Sequence, residues 1–379
     1  MIAVIEPVLG NTHHAAVNAG LLEALALARP DERIVFAATA RHRQAVMEIL
    51  GSEAARFGHR EIAPPPSGSI RWGRILLQFR LLHHCLLALR PHTLICMSCT
   101  PETLFASRLL LAWMPHLRII VVLHGILTDA TGWRSRDPRH RLIDSRSALA
   151  MARHARLRLV VLEPSIRDEA VRLGLLQSER TDVWPHPIAE SEVYATSGGL
   201  EGDRTKVAFL GGAKRSKGFG EFLRLMRLAR QHCPDRYQFS LIGTMNEEFS
   251  ADETAGLMLN REMLPRHDYI RRLREVHYVC MPLQSDTYTL TASGSLLDCI
   301  ASATPLIATP TAAILNLASS GPVGFLANAR TTLEDIILDP DRLSDRTSYA
   351  RFQQTLVQLQ AQRRPVALAS AMRATLYNG

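Results

Sequence analysis

Short apolar runs bounded by turn residues alternate with segments of helical period along the whole chain, and this alternation limits the fold more than any other feature. Strands buried on both faces read as unbroken hydrophobic runs, with a helix between each pair returning the chain to begin the next parallel strand. In the first half the strand-like runs are Ile2 to Val8, Arg33 to Ala37, Thr93 to Met97, Arg118 to Leu123 and Leu157 to Leu162. Helical periodicity covers Ala15 to Ala28, Ala40 to Leu50, Ile75 to Ala88, Glu102 to Trp113 and Ile166 to Leu173. The pattern breaks at Trp184-Pro185-His186-Pro187 and through the polar segment Glu190 to Asp203. It then restarts, with strands at Lys206 to Leu210, Gln238 to Ile242, Tyr278 to Met281 and Pro305 to Ala308. Helices are expected at Gly220 to His232, Asp268 to Glu275 and Ser295 to Ser302.

The expected fold class is therefore α/β, with two Rossmann-like doubly wound domains facing across a cleft. The boundaries predicted are an N-terminal domain over 1–188, a linker over 189–204, a C-terminal domain over 205–340 and a helical tail over 341–379 that packs back on the N-terminal domain. A length of 379 residues agrees with two domains at roughly 100 to 200 residues each. A net charge of +8 attracts anions: nucleotide phosphates, anionic lipid or nucleic acid. The cations are spread and no recognition motif accompanies them, so nucleic acid is not an expected partner. The chain enters Ile2-Ala3-Val4-Ile5 directly, without the pattern of a signal peptide. No apolar run reaches the roughly 18 to 20 residues of a membrane span. A cytoplasmic protein is expected, with the inner face of the plasma membrane as a peripheral site.

Ligands of open parallel sheets bind beyond the carboxyl ends of the strands, so candidate chemistry is sought there. Gly10, Asn11, Thr12 and His13 follow the first strand, where free amides at a helix start suit an anion or sugar hydroxyls. An ordinary turn capped by Thr12 fits the same residues. His124, before Gly125, ends a central strand, where an imidazole can bond a hydroxyl or titrate near neutrality; a structural histidine fits as well. Gly211-Gly212-Ala213-Lys214-Arg215-Ser216-Lys217-Gly218 joins a strand end, paired glycines and three cations, an arrangement suited to a diphosphate leaving group. Ser293, Gly294 and Ser295 open the helix carrying Asp298, where unpaired amides bind phosphate and Asp298 can accept from a ribose. Taken alone they are good capping chemistry. The pair Cys96 and Cys99 ends a strand instead of opening a helix and has no second pair, so packing is favoured over a redox or zinc role. Arg71 to His84 mixes cations, a tryptophan and long apolar residues, as interfacial helices do, although a core helix with a basic edge fits equally.

With these motifs in order, the chain resembles the family 4 retaining glycosyltransferases and their relatives with the GT-B fold. Gly10 to His14 is similar to the family's acceptor-side first loop, and Val122-Leu123-His124-Gly125 to its strand ending in His-Gly. Pro185-His186-Pro187 is a loose counterpart of a Pro-asparagine-Gly segment. Gly211 to Gly218 resembles the phosphate loop, Leu241-Ile242-Gly243 a later strand end, Asp298 to Ala308 the helix before the strand Val-Ile-Ala, and Gly324-Phe325-Leu326 the closing Gly-Phe-Leu. Two departures stand out. Gly212 occupies the position of the family's arginine, leaving Lys214 or Arg215 to supply that charge. Of two glutamates spaced by seven residues, the second position is Asp298 and the first is Leu290, with Asp286 and Tyr288 as nearby polar substitutes.

The resemblance implies transfer of a sugar from a nucleoside-diphosphate sugar to a glycan or lipid-linked acceptor, with retention, in polysaccharide or cell-envelope glycan synthesis. It assigns His124, Lys217 and Arg215 to catalysis. Donor binding falls to Gly211, Gly212, Lys214, Gly243, Tyr288, Ser293, Gly294, Ser295 and Asp298, and acceptor binding to Gly10, Asn11, Thr12 and His13. No Asp-x-Asp metal motif is recognised in the sequence, so no metal or other cofactor is expected. The non-enzymatic alternative is a catalytically degenerate nucleotide-sugar or polyanion binding protein of the same fold.

Overall fold

The computed structural model describes residues 1–10, 12, 14–63, 71–132, 137, 141–194, 199–259, 264–283 and 289–377, with the backbone alone at Arg71. The chain divides into two compact units. Unit 1 comprises Met1–Glu192, Leu290–Ala292 and Arg363–Gly379; unit 2 comprises Val193–Thr289 and Ser293–Gln362.

Unit 1 is built on a seven-stranded parallel sheet: β1 (Ile2–Ile5), β2 (Ile34–Ala38), β3 (Gly58–Glu61), β4 (Thr93–Cys96), β5 (Arg118–Val122), β6 (Leu157–Val161) and β7 (Thr181–Val183). Their order, β3-β2-β1-β4-β5-β6-β7, reverses direction between β1 and β4. Its α-helices of six or more described residues before the chain enters unit 2 are α1 (Ala15–Ala28), α2 (Ala40–Leu50), α3 (Arg71–Leu89), α4 (Pro101–Trp113), α5 (Ile126–Thr131), α6 (Ser145–Met151) and α7 (Pro164–Arg172). Side chains of a strand alternate between faces, and the two cores follow that alternation. Ala3, Ile5, Leu94, Cys96, Ile119 and Val121 pack with α3 and α4, while Ile2, Val4, Ile95, Ile120 and Val122 pack with α1. Local chemistry sets the helix starts. Thr39 caps α2, and Thr100 with Thr103 forms a capping box before α4, whose first residue is Pro101. Cys96 and Cys99 are buried free thiols within the apolar core.

Unit 2 carries a five-stranded parallel sheet: β8 (Thr205–Leu210), β9 (Tyr237–Ile242), β10 (Tyr278–Met281), β11 (Leu306–Ala308) and β12 (Gly324–Leu326). The order β12-β11-β10-β8-β9 places its reversal between β8 and β10. Helices of six or more described residues are α8 (Phe219–His232), α9 (Arg266–Arg274), α10 (Gly294–Ala301), α11 (Ala312–Ala318) and α12 (Arg346–Gln362). An aromatic core joins β8, β9 and α8, with Phe209 edge-on to Phe219 at 4.9 Å and Phe222 edge-on to Phe239 at 5.9 Å.

The structure departs from the sequence expectation at its margins. β3 and β7 had no counterpart, because one alternates half-buried with exposed residues and the other is three residues long. The first strand stops at Ile5 rather than Val8, since Glu6 turns the chain by accepting from the Val8 and Leu9 amides. The tail does not behave as one piece. Residues 341–362 belong to unit 2, where Gln360 donates to the Ala301 carbonyl at 2.7 Å. The remainder forms α13 (Pro365–Tyr377) in unit 1, packed along α1, and its Thr375 accepts from the buried Trp184 indole at 3.0 Å.

Met372 of α13 is fully buried in the α1-side core of unit 1. Met372→Ala is therefore expected to destabilise unit 1 by about 2–5 kcal/mol. Urea unfolding followed through tryptophan fluorescence measures this, and a loss below about 0.5 kcal/mol would show that α13 adds little to that core.

Candidate functional site

In unit 1 the loop beyond β1 lies at the reversal of strand order, where doubly wound sheets bind ligands. A buried polar network holds it. The Glu6 carboxylate accepts from the Val8 and Leu9 amides at 3.0 Å, from Asn18 Nδ2 at 3.1 Å and from the Ser98 hydroxyl. Asn18 also bonds the His42 ring at 2.9 Å, and the Thr39 hydroxyl donates to the Gly10 carbonyl at 3.3 Å. Gly10 is thus fixed from beneath, while Thr12 is exposed. Asn11 and His13 lie outside the described residues.

Three imidazoles gather next to this loop. His14 starts α1 in a left-handed conformation, with φ 63°, and stacks on His124 at 3.9 Å; His186 meets His124 edge-on at 6.2 Å. Burial, and then His14, push the His124 pKa down to about 3. Burial, then His124 and Arg363, hold His186 well below the ordinary histidine range. The backbone amide of His186 bonds Glu163, whose carboxylate pairs with the buried Arg363 at 3.1 Å. The rings stack instead of converging, and among the described residues no group of three or more His, Cys, Asp or Glu side chains is arranged to hold a metal. His124 is thus held as a neutral imidazole able to donate or accept a hydrogen bond. Sequence reasoning missed Glu6 and the Glu163–Arg363 pair; only the charged residue types, set in apolar surroundings, hinted at them.

In unit 2 the reversal between β8 and β10 is flanked by Gly211 to Gly218. Backbones pack closely there. A Cβ on Gly243, at φ +152°, would sit 1.9 Å from the Gly211 carbonyl oxygen, and one on Gly218, at φ +80°, would sit 2.0 Å from the Pro282 carbonyl oxygen. A Cβ on Gly211 or Gly212 would come within 2.9 Å of Ser295 Oγ or Asn246 Oδ1. Ser295 Oγ donates to the Leu210 carbonyl at 3.3 Å, seating the start of α10 against the end of β8. Ser293 caps α10 by accepting from the Leu296 amide. The Gly294 and Ser295 amides have no acceptor among the described residues, and the space beside the Gly294 Cα is open to 4 Å. Lys214 and Lys217 are half-buried in the neighbouring turn; burial, then Lys214, holds Lys217 below the ordinary lysine range.

Two of the expected site residues have partners within their own unit. The Arg215 guanidinium pairs with Glu253 at 3.2 Å and covers the Phe249 ring at 4.6 Å, while its amide donates to Glu247. Asp298 accepts from Arg266 at 2.7 Å and from the Tyr269 hydroxyl at 3.0 Å. Tyr288 and Asp286 lie outside the described residues. Leu290 is buried in an apolar cluster of unit 1, surroundings in which a glutamate carboxylate would lose its hydration. An Asp-x-Asp triplet does occur in the sequence, at Asp339-Pro340-Asp341. Asp339 caps the helix over 340–343 and Asp341 pairs with Arg236.

The sequence matches no family model and no curated protein. Solved structures match its fold. Sucrose-phosphate synthase from Thermosynechococcus elongatus is 14% identical, covering 100% of this chain and 98% of that one at a TM-score of 0.68. HepE from Anabaena in complex with UDP-glucose is 13% identical, covering 100% of both chains at 0.66. A glycosyltransferase from Rickettsia africae is 10% identical, covering 100% and 99% at 0.68. The class this defines is the α/β fold of two parallel-sheet, Rossmann-like domains known as GT-B.

His124 and His186 are neutral in the folded chain but have a pKa near 6.5 when unfolded. Their depressed folded values mean that their contribution to stability is full above about pH 6.5 and is lost as pH falls below it, for His124 by about 1.4 kcal/mol per pH unit down to about pH 3. His124→Phe is expected to remove one ring's share of that slope. Urea unfolding between pH 7 and pH 4 tests this, and parallel pH profiles for the two proteins would refute the assignment.

Proposed function

We propose that this protein is a glycosyltransferase that moves a sugar from a nucleoside-diphosphate sugar to a glycan or lipid-linked acceptor, as a divergent relative of the family 4 enzymes. The observation that carries the reading is the anion-receptive cradle at the strand reversal of unit 2. There, two amides without an acceptor among the described residues, open space beside Gly294 and two half-buried lysines occur at one strand reversal. A helix start and ammonium groups are what a diphosphate requires.

In this reading the diphosphate lies against Gly294 and Ser295, with Lys217 and Lys214 neutralising its charge. Lys217 gains most, because a partly desolvated ammonium recovers favourable interactions when an anion arrives. The bond from the anomeric carbon to the phosphate oxygen breaks first. The acceptor oxygen then bonds that carbon on the same face, and its proton passes to the departing phosphate oxygen, so configuration is retained. No metal takes part in this scheme; the protein positions the partners and stabilises negative charge. His124, a neutral imidazole in unit 1, is suited to bond a sugar hydroxyl, and Gly10 and Thr12 belong to the acceptor side. Asp298 acts indirectly, holding Arg266 and Tyr269 on α9. Polysaccharide or cell-envelope glycan assembly is the proposed setting.

The burial of Leu290 favours a second reading, a binding protein that holds a nucleotide sugar without turnover, because the family's first glutamate has no equivalent at that position. A thermal-shift panel with UDP, GDP, ADP and TDP and their sugars tests the donor site. One nucleotide at a hundredfold excess over its Kd is expected to stabilise the protein by about 2.7 kcal/mol. Lys217→Ala is expected to abolish that shift while leaving the ligand-free melting temperature within about 2 °C, since surface changes cost little. No shift with any nucleotide at millimolar concentration defeats the proposal. A shift without sugar transfer to any glycan or polyprenyl-phosphate acceptor selects the binding protein.

A further inference from the structure

Helix α3 buries one side and leaves the other bare. Ile75, Gln78, Leu82, Cys85 and Leu86 face the core, whereas Trp72, Leu76 and Leu87 are 55%, 51% and 56% exposed. At 100° per residue, Trp72, Leu76, His83 and Leu87 fall within an arc of about 60° and form one ridge roughly 22 Å long. The ridge continues onto the neighbouring α4. Phe79 meets the Trp113 ring edge-on at 6.4 Å, and Trp113 and Leu109, one turn apart, are 74% and 47% exposed. Exposed apolar residues are common singly, but two tryptophans and three leucines on adjoining helices form a patch that calls for a partner.

The charge of this region says which partner. Beside this ridge stand the exposed Arg80 and Arg90 and the half-buried Arg108, and the only acid in the sequence of α3 and α4 is Glu102. A second copy of the chain meeting this face about a two-fold axis would set these cations against each other. A nucleic acid would neutralise the cations and leave Leu76, Leu87 and Leu109 wet. An anionic bilayer meets both demands, taking the indoles and leucines at the acyl boundary and the guanidinium groups among its headgroups. No described helix is long and apolar enough to cross a membrane, so α3 would lie in the interface plane. We propose that the ridge of α3 and α4 docks unit 1 onto an anionic phospholipid surface.

The experiment is co-sedimentation of the intact chain with vesicles of phosphatidylcholine alone or of three parts phosphatidylcholine to one part phosphatidylglycerol. Binding is expected only to the anionic vesicles and is expected to weaken with salt. Trp72→Ser with Trp113→Ser is expected to lower the partition coefficient at least about tenfold with the melting temperature unchanged, because both rings are exposed. Arg80→Glu with Arg108→Glu is expected to lower it by about tenfold or more. Protein left in the supernatant, equal binding to neutral vesicles, or wild-type binding by the tryptophan pair variant overturns the proposal. So does a dimer in analytical ultracentrifugation that the tryptophan pair variant dissolves, which would assign the ridge to a second copy. Nucleotide-induced thermal shifts are measured without vesicles, so failure here leaves the donor-site reading standing and the reverse holds too.

Discussion

A parallel strand covered by helices on both faces has no side chain to offer a ligand except at its ends. In this protein that constraint operates twice. Each sheet reverses strand order once, between β1 and β4 in unit 1 and between β8 and β10 in unit 2, and there the loops on the carboxyl side diverge and leave room. The residues with unusual environments collect at those places: the Glu6-bound loop and the three imidazoles in one unit, the Gly211 turn and the start of α10 in the other.

The two loops are made rigid by different means. In unit 1 a buried carboxylate does it, with Glu6 saturated by backbone amides, Asn18 and Ser98, so its charge is compensated where it lies. In unit 2 the absence of side chains does it, since Gly243 and Gly218 bring backbone into contact with backbone and admit no Cβ. What remains unsatisfied differs accordingly. Unit 1 presents desolvated neutral imidazole, suited to hydroxyl groups, and unit 2 presents amides and ammonium groups, suited to phosphate.

The departures from the family 4 pattern have physical counterparts. Where an arginine would stand, Gly212 packs against Asn246, so positive charge falls to Lys214 and Lys217. Where a glutamate would stand, Leu290 is an apolar core residue. Asp298 keeps a carboxylate in the second position, but Arg266 and Tyr269 occupy its oxygens. The donor site proposed here therefore relies more on lysine and backbone amides than on carboxylates.

Much of the fold could be read from the chain because periodicity is local. Twofold and 3.6-fold repeats, the cap at Ser293 and the glycines of the β8 turn each act over a few residues. The edge strands β3 and β7 escaped because partial exposure removes the apolar run. Pairing across long separations was not legible at all. Arg215 finds Glu253, Asp298 finds Arg266, and His124 is flanked by His14 and His186 only once the sheets are assembled. Leu290 to Ala292 join unit 1, and the tail divides between Gln362 and Arg363, for the same reason. By itself the sequence determined the elements and the loops where chemistry can gather. Which cation stays available to a ligand, and which carboxylate is consumed within the protein, was decided by tertiary structure, because burial and pairing depend on neighbours brought together only by folding.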